Sequence, residues 1–163
     1  GQLGRAYNAI RFDRGMLDQT WVRIPQLYEL ALWHDAPEAL GTGDILGPLK
    51  RESPAIASAC DNVEVCFLKK YFHEFDDVSS FALLLLLLDT TDLVEHKIVL
   101  YADKLQCFSS WHTETALGNM SVIPDVRLAY GRLLESIMVE EDSILKELLL
   151  KLMVEIRGQF GFT

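Results

Sequence analysis

Apolar residues recur at helical spacing along almost the whole chain, and runs that alternate apolar with polar residues are few. Side chains three or four positions apart share one face of an α-helix, whereas a strand alternates every second residue. The pattern is clearest near the carboxyl end, in Leu133, Leu134, Ile137, Met138, Leu145, Leu148, Leu149 and Leu152. The spacing therefore predicts an all-α protein.

Proline and glycine divide this pattern into separate helices. We expect a first helix over about residues 2–17. A second begins near Pro25, which suits an early turn, and ends near residue 38. Pro124 opens the last long helical region, and within it the acidic run 140–142 is interpreted as a solvated helix face.

Length and charge limit the kind of protein this can be. A chain of 163 residues, half of them apolar, is long enough for one compact domain with a substantial core. We therefore expect residues 1–163 to form a single domain. The net charge of −9 argues against DNA or RNA as a partner, because binding to a phosphate backbone depends on clustered Lys and Arg.

The Leu-rich run 81–88 and the cysteines indicate a cellular setting. A transmembrane helix needs about 20 apolar residues, and Asp89 closes this shorter run, so we expect a buried helix and no membrane association. Cys60, Cys66 and Cys107 contain no CxxC pair and leave an odd number for disulfides. They are predicted to be reduced core thiols of a cytoplasmic protein.

One short apolar stretch holds polar side chains that a helix there does not need. His34 and Asp35 are adjacent, and Glu38 follows within about one helical turn. At about 100° per residue, all three side chains can address one small volume. Charges among apolar residues need a partner, and a divalent cation is the strongest one available. A metal site is the working hypothesis for this stretch.

Imidazole and carboxylate ligands together suit manganese, cobalt, iron, nickel or zinc and do not choose among them. A third ligand is expected from elsewhere in the chain, and Asp103, a lone acid in the apolar stretch 99–105, is the candidate. Taken alone, a His-Asp dipeptide is more typical of a surface salt bridge or a core histidine with satisfied hydrogen bonds.

These residues resemble those of the HD-domain metal-dependent phosphohydrolases, and most closely the small bacterial and phage 5'-deoxynucleotidases. His34-Asp35 matches the adjacent pair of that family, and Asp103 matches its closing Asp. The match is strongest over residues 30–50 and around 99–105. The resemblance implies a helical bundle of the HD type in which His34, Asp35 and Asp103 hold a divalent ion of cobalt, manganese, zinc, nickel, iron or magnesium.

The resemblance also implies roles for residues that follow the pair. Glu38 stands where the family keeps a catalytic carboxylate. Gly43-Asp44, followed by Pro48 and Lys50, resembles the family's Gly-Asp-x-x-x-Pro-x-Lys loop. Asp44 would then orient the attacking water or the edge of the sugar, and Lys50 would bind substrate and stabilise charge on its phosphate.

One ligand of the family pattern has no counterpart, because residues 1–33 contain none of the histidines. Two explanations are open. Either the sequence begins after that early His, or another residue stands in its place. Arg5 aligns at or near the position, where a cation would weaken metal binding.

Three functions fit this resemblance. The first is a phosphohydrolase that acts on deoxynucleoside 5'-monophosphates and releases deoxynucleoside and phosphate; it is favoured because the match is to the small family members. The second is a deoxynucleoside triphosphohydrolase of nucleotide-pool control. The third is a degenerate, non-catalytic HD domain that binds a nucleotide or a protein partner. The expected substrate is a small-molecule nucleotide, and the family's habit suggests a homodimer.

Overall fold

The computed structural model describes residues 2–16, 21–34, 36, 53–73 and 93–162, except the side chains of residues 61, 64, 65, 68 and 71–73. The helices in these ranges are α1 (Gln2–Asp13), α2 (Ile24–Trp33), α3 (Pro54–His73), α4 (Val94–Ala116), α5 (Ile123–Met138) and α6 (Ser143–Phe160), and a 3₁₀ turn covers Met120–Val122. No strand occurs among them. The prediction of an all-α protein is confirmed.

The chain divides into two compact units. The first consists of Gly1–Leu27 and Lys97–Thr163, and the second of Tyr28–His96. The first unit therefore contains α1, α5, α6 and most of α4, while α3 belongs to the second. That the whole chain forms one domain stays a prediction.

The first unit is built around the apolar faces of its last two helices. α6 packs against both α1 and α5. The buried apolar side chains at its centre come from all four helices of this unit: Tyr7, Tyr101, Phe108, Val126, Leu133, Ile137, Ile144, Leu145, Leu149, Met153 and Ile156. Burying each large aliphatic side chain contributes about 1.5–3 kcal/mol, so this cluster is the main source of the unit's stability. The apolar spacing near the carboxyl end correctly predicted a core face, although Met138 is exposed.

α1 ends at Asp13, several residues before its predicted end. Gly15 adopts a φ of +67°, the left-handed conformation that glycine enters without a steric penalty. Its backbone N–H donates to the carbonyl of Phe12 at 2.9 Å, which closes the last turn.

α2 begins as predicted but is shorter than expected. Pro25 lies in its first turn, and the helix ends at Trp33. The N–H of His34 still donates to the carbonyl of Leu30 at 2.9 Å, so the hydrogen-bond ladder extends one residue beyond the helix. The predicted end near residue 38 lies outside the described residues.

The acidic run 140–142 is the turn between α5 and α6, not part of a continuous helix. The Glu140 side chain is only 6% exposed and pairs with Lys97 at 2.8 Å. Asp142 caps α6, since its Oδ1 accepts from two backbone N–H groups of the first turn at 3.0 and 2.9 Å. The interpretation of this run as a solvated helix face is therefore wrong. The overlooked signal is an Asp directly before an apolar helical run, which is typical of a helix start.

The cysteines agree with prediction in part. All three are free thiols, but only Cys60 is buried, whereas Cys66 and Cys107 are exposed. Both lie on the exposed faces of long helices, where exposing a small thiol to water costs little free energy.

In the part of the chain described, no helix has the length and apolar content needed to cross a membrane. The Leu-rich run 81–88 falls outside that part.

Candidate metal and substrate site

His34 lies directly after α2, and a backbone contact fixes the orientation of its ring. Its Nδ1 is 3.0 Å from the carbonyl oxygen of Ala31. A carbonyl oxygen only accepts, so in the neutral ring Nδ1 carries the proton and Nε2 carries the lone pair. The Nε2 atom is shielded from solvent. A histidine held in this way by a backbone carbonyl has the tautomer and orientation of a metal ligand that binds through Nε2.

The local sequence explains why this contact forms. The last carbonyls of an α-helix have no partner within the helix, and Ala31 supplies one of those carbonyls at the end of α2. A histidine placed immediately after the last helical residue reaches back to such a carbonyl. The helix end and the ring orientation therefore have the same cause.

Asp103 lies in the middle of α4 with its side chain exposed. No residue in the described ranges hydrogen-bonds or ion-pairs with its carboxylate. Cys107 lies one turn further along the helix, where partial burial and then the charge of Asp103 raise the pKa of the thiol. The thiol thus stays protonated near neutral pH, and Asp103 is the group on this face that is available to a cation.

The donor chemistry of His34 and of Asp103, each taken by itself, suits the metal that the resemblance implies. An imidazole that offers Nε2 and a carboxylate without a described hydrogen-bond partner are donors that suit a divalent transition-metal ion. His34 belongs to the second unit and Asp103 to the first. Within the described ranges no three His, Cys, Asp or Glu side chains form a metal-binding group. Those ranges do not include the predicted ligand Asp35.

The other predicted site residues also lie outside the described part of the chain. They are the catalytic candidates Glu38 and Asp44 and the substrate-binding candidate Lys50. Their roles stay predictions. Arg5, which aligns at or near the family's early His, lies on α1 with an exposed side chain. Both explanations for the absent histidine stay open.

A group of polar residues that sequence reasoning missed holds the helix that carries Asp103. Lys97 and Tyr101 of α4 both contact the Glu140 carboxylate, with Lys97 Nζ 2.8 Å from Oε1 and Tyr101 Oη 3.3 Å from Oε2. We call Lys97, Tyr101 and Glu140 the polar clamp. The sequence signal was a Lys and a Tyr four positions apart, but their partner lies about forty residues further on and only the fold reveals it.

The electrostatics of the polar clamp follow from its burial. Burial by itself would raise the pKa of the Glu140 carboxyl, but hydrogen bonds from Lys97 and from the N–H of Asp142, with the Lys97 charge, hold it below its ordinary value. Burial and then the Glu140 charge raise the pKa of Tyr101. At neutral pH Glu140 is therefore ionised and Tyr101 is a neutral donor, whose single hydroxyl proton is shared between the Glu140 carboxylate and the carbonyl of Ser136.

Comparison with known families supports the same assignment. A family model described as 5'-deoxynucleotidase YfbR-like matches residues 9–151. The chain belongs to this family. Membership in the YfbR-like family confirms the resemblance, and at the family level it makes the chain a phosphohydrolase of the 5'-deoxynucleotidase type. Comparisons with curated proteins and with solved structures gave no match.

Proposed function

We propose that the protein is a metal-dependent phosphohydrolase that converts deoxynucleoside 5'-monophosphates to deoxynucleoside and phosphate. The observation that carries the proposal is the family match over residues 9–151, which spans all of the proposed site residues. The orientation of the His34 ring and the uncommitted carboxylate of Asp103 support it.

Three residues would hold the divalent ion: His34 through Nε2, and Asp35 and Asp103 through their carboxylates. When bound, the ion supplies a Lewis acid that polarises the phosphate and lowers the pKa of water. Imidazole and carboxylate donors together suit cobalt, manganese, zinc, nickel or iron. Magnesium is a harder ion and would bind through the carboxylates.

The remaining roles concern protons and charge. In the hydrolysis, the oxygen of water forms a bond to phosphorus and the bond from phosphorus to the 5' oxygen breaks. One proton leaves the water and one joins the 5' oxygen, and Glu38 is the carboxylate proposed to move a proton at one of these atoms. Asp44 orients the water or the sugar, and Lys50 stabilises the negative charge on the phosphate.

The proposal extends to the protein's setting. The net charge of −9 disfavours a nucleic-acid partner, and a small nucleotide remains compatible with that charge because a metal and one Lys neutralise a single phosphate. Three free thiols are consistent with the cytoplasm. A homodimer is the assembly expected from the resemblance.

The test is product analysis on the full chain. Deoxynucleoside mono- and triphosphates are incubated with Co²⁺ or Mn²⁺, and phosphate, triphosphate and nucleoside are separated by chromatography. We expect phosphate and nucleoside from monophosphates. Asp103→Asn should lower this rate at least about 100-fold, because it removes a ligand's charge. Glu155→Gln, which alters an exposed carboxylate on α6, serves as the matched control and should keep the wild-type rate.

Each contrary outcome points to a different reading. Release of triphosphate with no hydrolysis of monophosphates would replace the proposal with the triphosphohydrolase. No product from any nucleotide would replace it with the non-catalytic HD domain. Full activity in Asp103→Asn would remove this residue from the site.

A further inference from the structure

We propose that the polar clamp of Lys97, Tyr101 and Glu140 positions Asp103 by fixing the rotation of α4 about its own axis. This inference rests on the proposed function, since it takes Asp103 as a metal ligand. The clamp residues are positioning residues, because none of them is itself a proposed ligand. All of these residues lie in the first unit.

The clamp and the ligand occupy different faces of α4. Lys97 and Tyr101 are four positions apart and therefore share one face of the helix. At about 100° per residue, Asp103 lies roughly 140° around the helix from the mean direction of that pair. Phe108, two turns beyond Tyr101, continues the clamp face and is 2% exposed. The side that is held and the side that carries the carboxylate are thus separate.

Glu140 is anchored well enough to act as a fixed point. Its side chain is 6% exposed. Its Oε1 accepts from the N–H of Asp142 at 3.0 Å, which ties the carboxylate to the residue that caps α6. The hydroxyl of Tyr101 also lies 3.3 Å from the carbonyl oxygen of Ser136 at the end of α5. The clamp therefore joins α4 to both neighbouring helix ends.

A metal site requires accurate ligand distances, and this requirement explains why the polar clamp would matter. Side chains reach about 5–6 Å from a helix axis, so a rotation of about 10° moves a carboxylate by about 1 Å. Ligand distances in a metal site are held to about 0.2 Å. Apolar contacts are non-directional and tolerate such a rotation, whereas hydrogen bonds weaken steeply when their angle changes. The polar clamp supplies the directional restraint that the apolar face of α4 lacks.

The experiment measures Co²⁺ affinity by titration calorimetry on the full chain, beside thermal unfolding of each variant. Tyr101→Phe removes the hydroxyl of the clamp and leaves its ring in place. Tyr130→Phe is the matched control, because the hydroxyl of Tyr130 lies at the same 3.3 Å from a backbone carbonyl, that of Met153, but belongs to α5. We expect Tyr101→Phe to weaken Co²⁺ binding about 10-fold, the lower end of the range for removing a group that itself hydrogen-bonds a metal ligand, because Tyr101 acts through the helix. Tyr130→Phe should stay within about twofold of the wild type.

A second variant and a second readout separate positioning from general destabilisation. Glu140→Gln keeps the shape of the side chain and removes its charge, so it should weaken Co²⁺ binding in the same direction. In both clamp variants, saturating Co²⁺ should restore kcat. Tyr101→Phe with wild-type affinity would overturn the inference, and so would an equal loss of affinity in Tyr130→Phe.

The outcomes also distinguish this inference from the proposed function. If the wild type binds Co²⁺ and Asp103→Asn does not, while both clamp variants bind normally, the positioning role alone fails. If Asp103→Asn binds Co²⁺ as the wild type does, Asp103 is not a ligand and the positioning role fails with it. If the wild type itself binds no Co²⁺, the proposed metal-dependent function fails.

Discussion

At the scale of single residues, one backbone contact gives His34 its chemical character. The carbonyl of Ala31 decides which ring nitrogen is protonated, and thereby which one can bind a metal. A glutamine at this position can still contact the carbonyl but offers no imidazole nitrogen to a cation.

His34→Gln should therefore lose stoichiometric Co²⁺ and lower phosphate release at least about 100-fold, with little change in the melting temperature. His112→Gln is the matched control, since His112 is an exposed histidine whose ring forms a T-shaped pair with Phe160. Metal analysis of the two purified variants checks the prediction. Stoichiometric Co²⁺ in His34→Gln would show that this ring is not a ligand.

A second residue-scale interaction joins α1 to the start of α6. The hydroxyl of Tyr7, which is 2% exposed, donates to Oδ2 of Asp142 at 2.6 Å. Burial, followed by this hydrogen bond and the Asp142 charge, raises the pKa of Tyr7 from 10.0 to about 12. The folded state thus favours the neutral phenol.

The sign of the pH dependence follows from this shift. Because the folded-state pKa lies above the unfolded value, Tyr7 contributes stability that is complete below pH 10 and is lost as the pH rises through about 12. Tyr7→Phe should lower the free energy of unfolding by about 2 kcal/mol at neutral pH, which is about 4–8 °C in melting temperature. Thermal melts at pH 8 and near pH 12 check this. A difference between the two proteins that stays constant over that range would contradict it.

The proposed metal ligands could be recognised from the sequence more easily than the residues whose contacts join the helices. His34 and Asp103 stand out because each is a polar residue in an apolar stretch, and that contrast is local. The contacts of Tyr7 and Glu140 join residues far apart in the chain, so no local pattern predicts them. Glu140 was predicted to lie on a solvated face because it belongs to a run of three acidic residues, but its side chain is buried.

At the scale of elements, most helices form where the apolar spacing predicts them, and the differences concern their ends. The end of α1 depends on the left-handed φ of Gly15, and the break between α5 and α6 depends on the cap at Asp142. Each of these helix ends is set by one residue, and a periodic pattern of apolar residues does not locate an end that accurately. The close approach of α1 to the start of α2 is another such detail.

Two helix glycines show how that approach can be tested. A Cβ on Gly4 would lie 2.6 Å from Cδ2 of the buried Leu27 and 3.3 Å from side-chain atoms of Ile24 and Val22. No described atom lies within 4 Å of a Cβ on Gly131. Gly131→Ala should raise the free energy of unfolding by up to about 1 kcal/mol through helix propensity. In Gly4→Ala that gain should be outweighed by overpacking of about 1–3 kcal/mol. Denaturant melts of the two variants measure both changes, and equal stabilisation would argue against the close approach.

At the scale of the whole molecule, the all-α fold and the family membership are established, and the chemistry is proposed. The fold class was accessible from sequence because helical periodicity extends through nearly the whole chain. Whether the proposed ligands meet at one site could not be predicted from sequence, since they are distributed over residues 34–103 and only tertiary structure can bring such residues together.

Metal-dependent hydrolysis is best tested by titrating the activity of the full chain with Co²⁺. The protein is stripped with a chelator, Co²⁺ is added back stepwise, and phosphate release from a deoxynucleoside 5'-monophosphate is followed at each step. The proposed metal dependence predicts no release from the stripped protein and a rate that rises to saturation as Co²⁺ is added. Full release after chelation, or none at any Co²⁺ concentration, would contradict it.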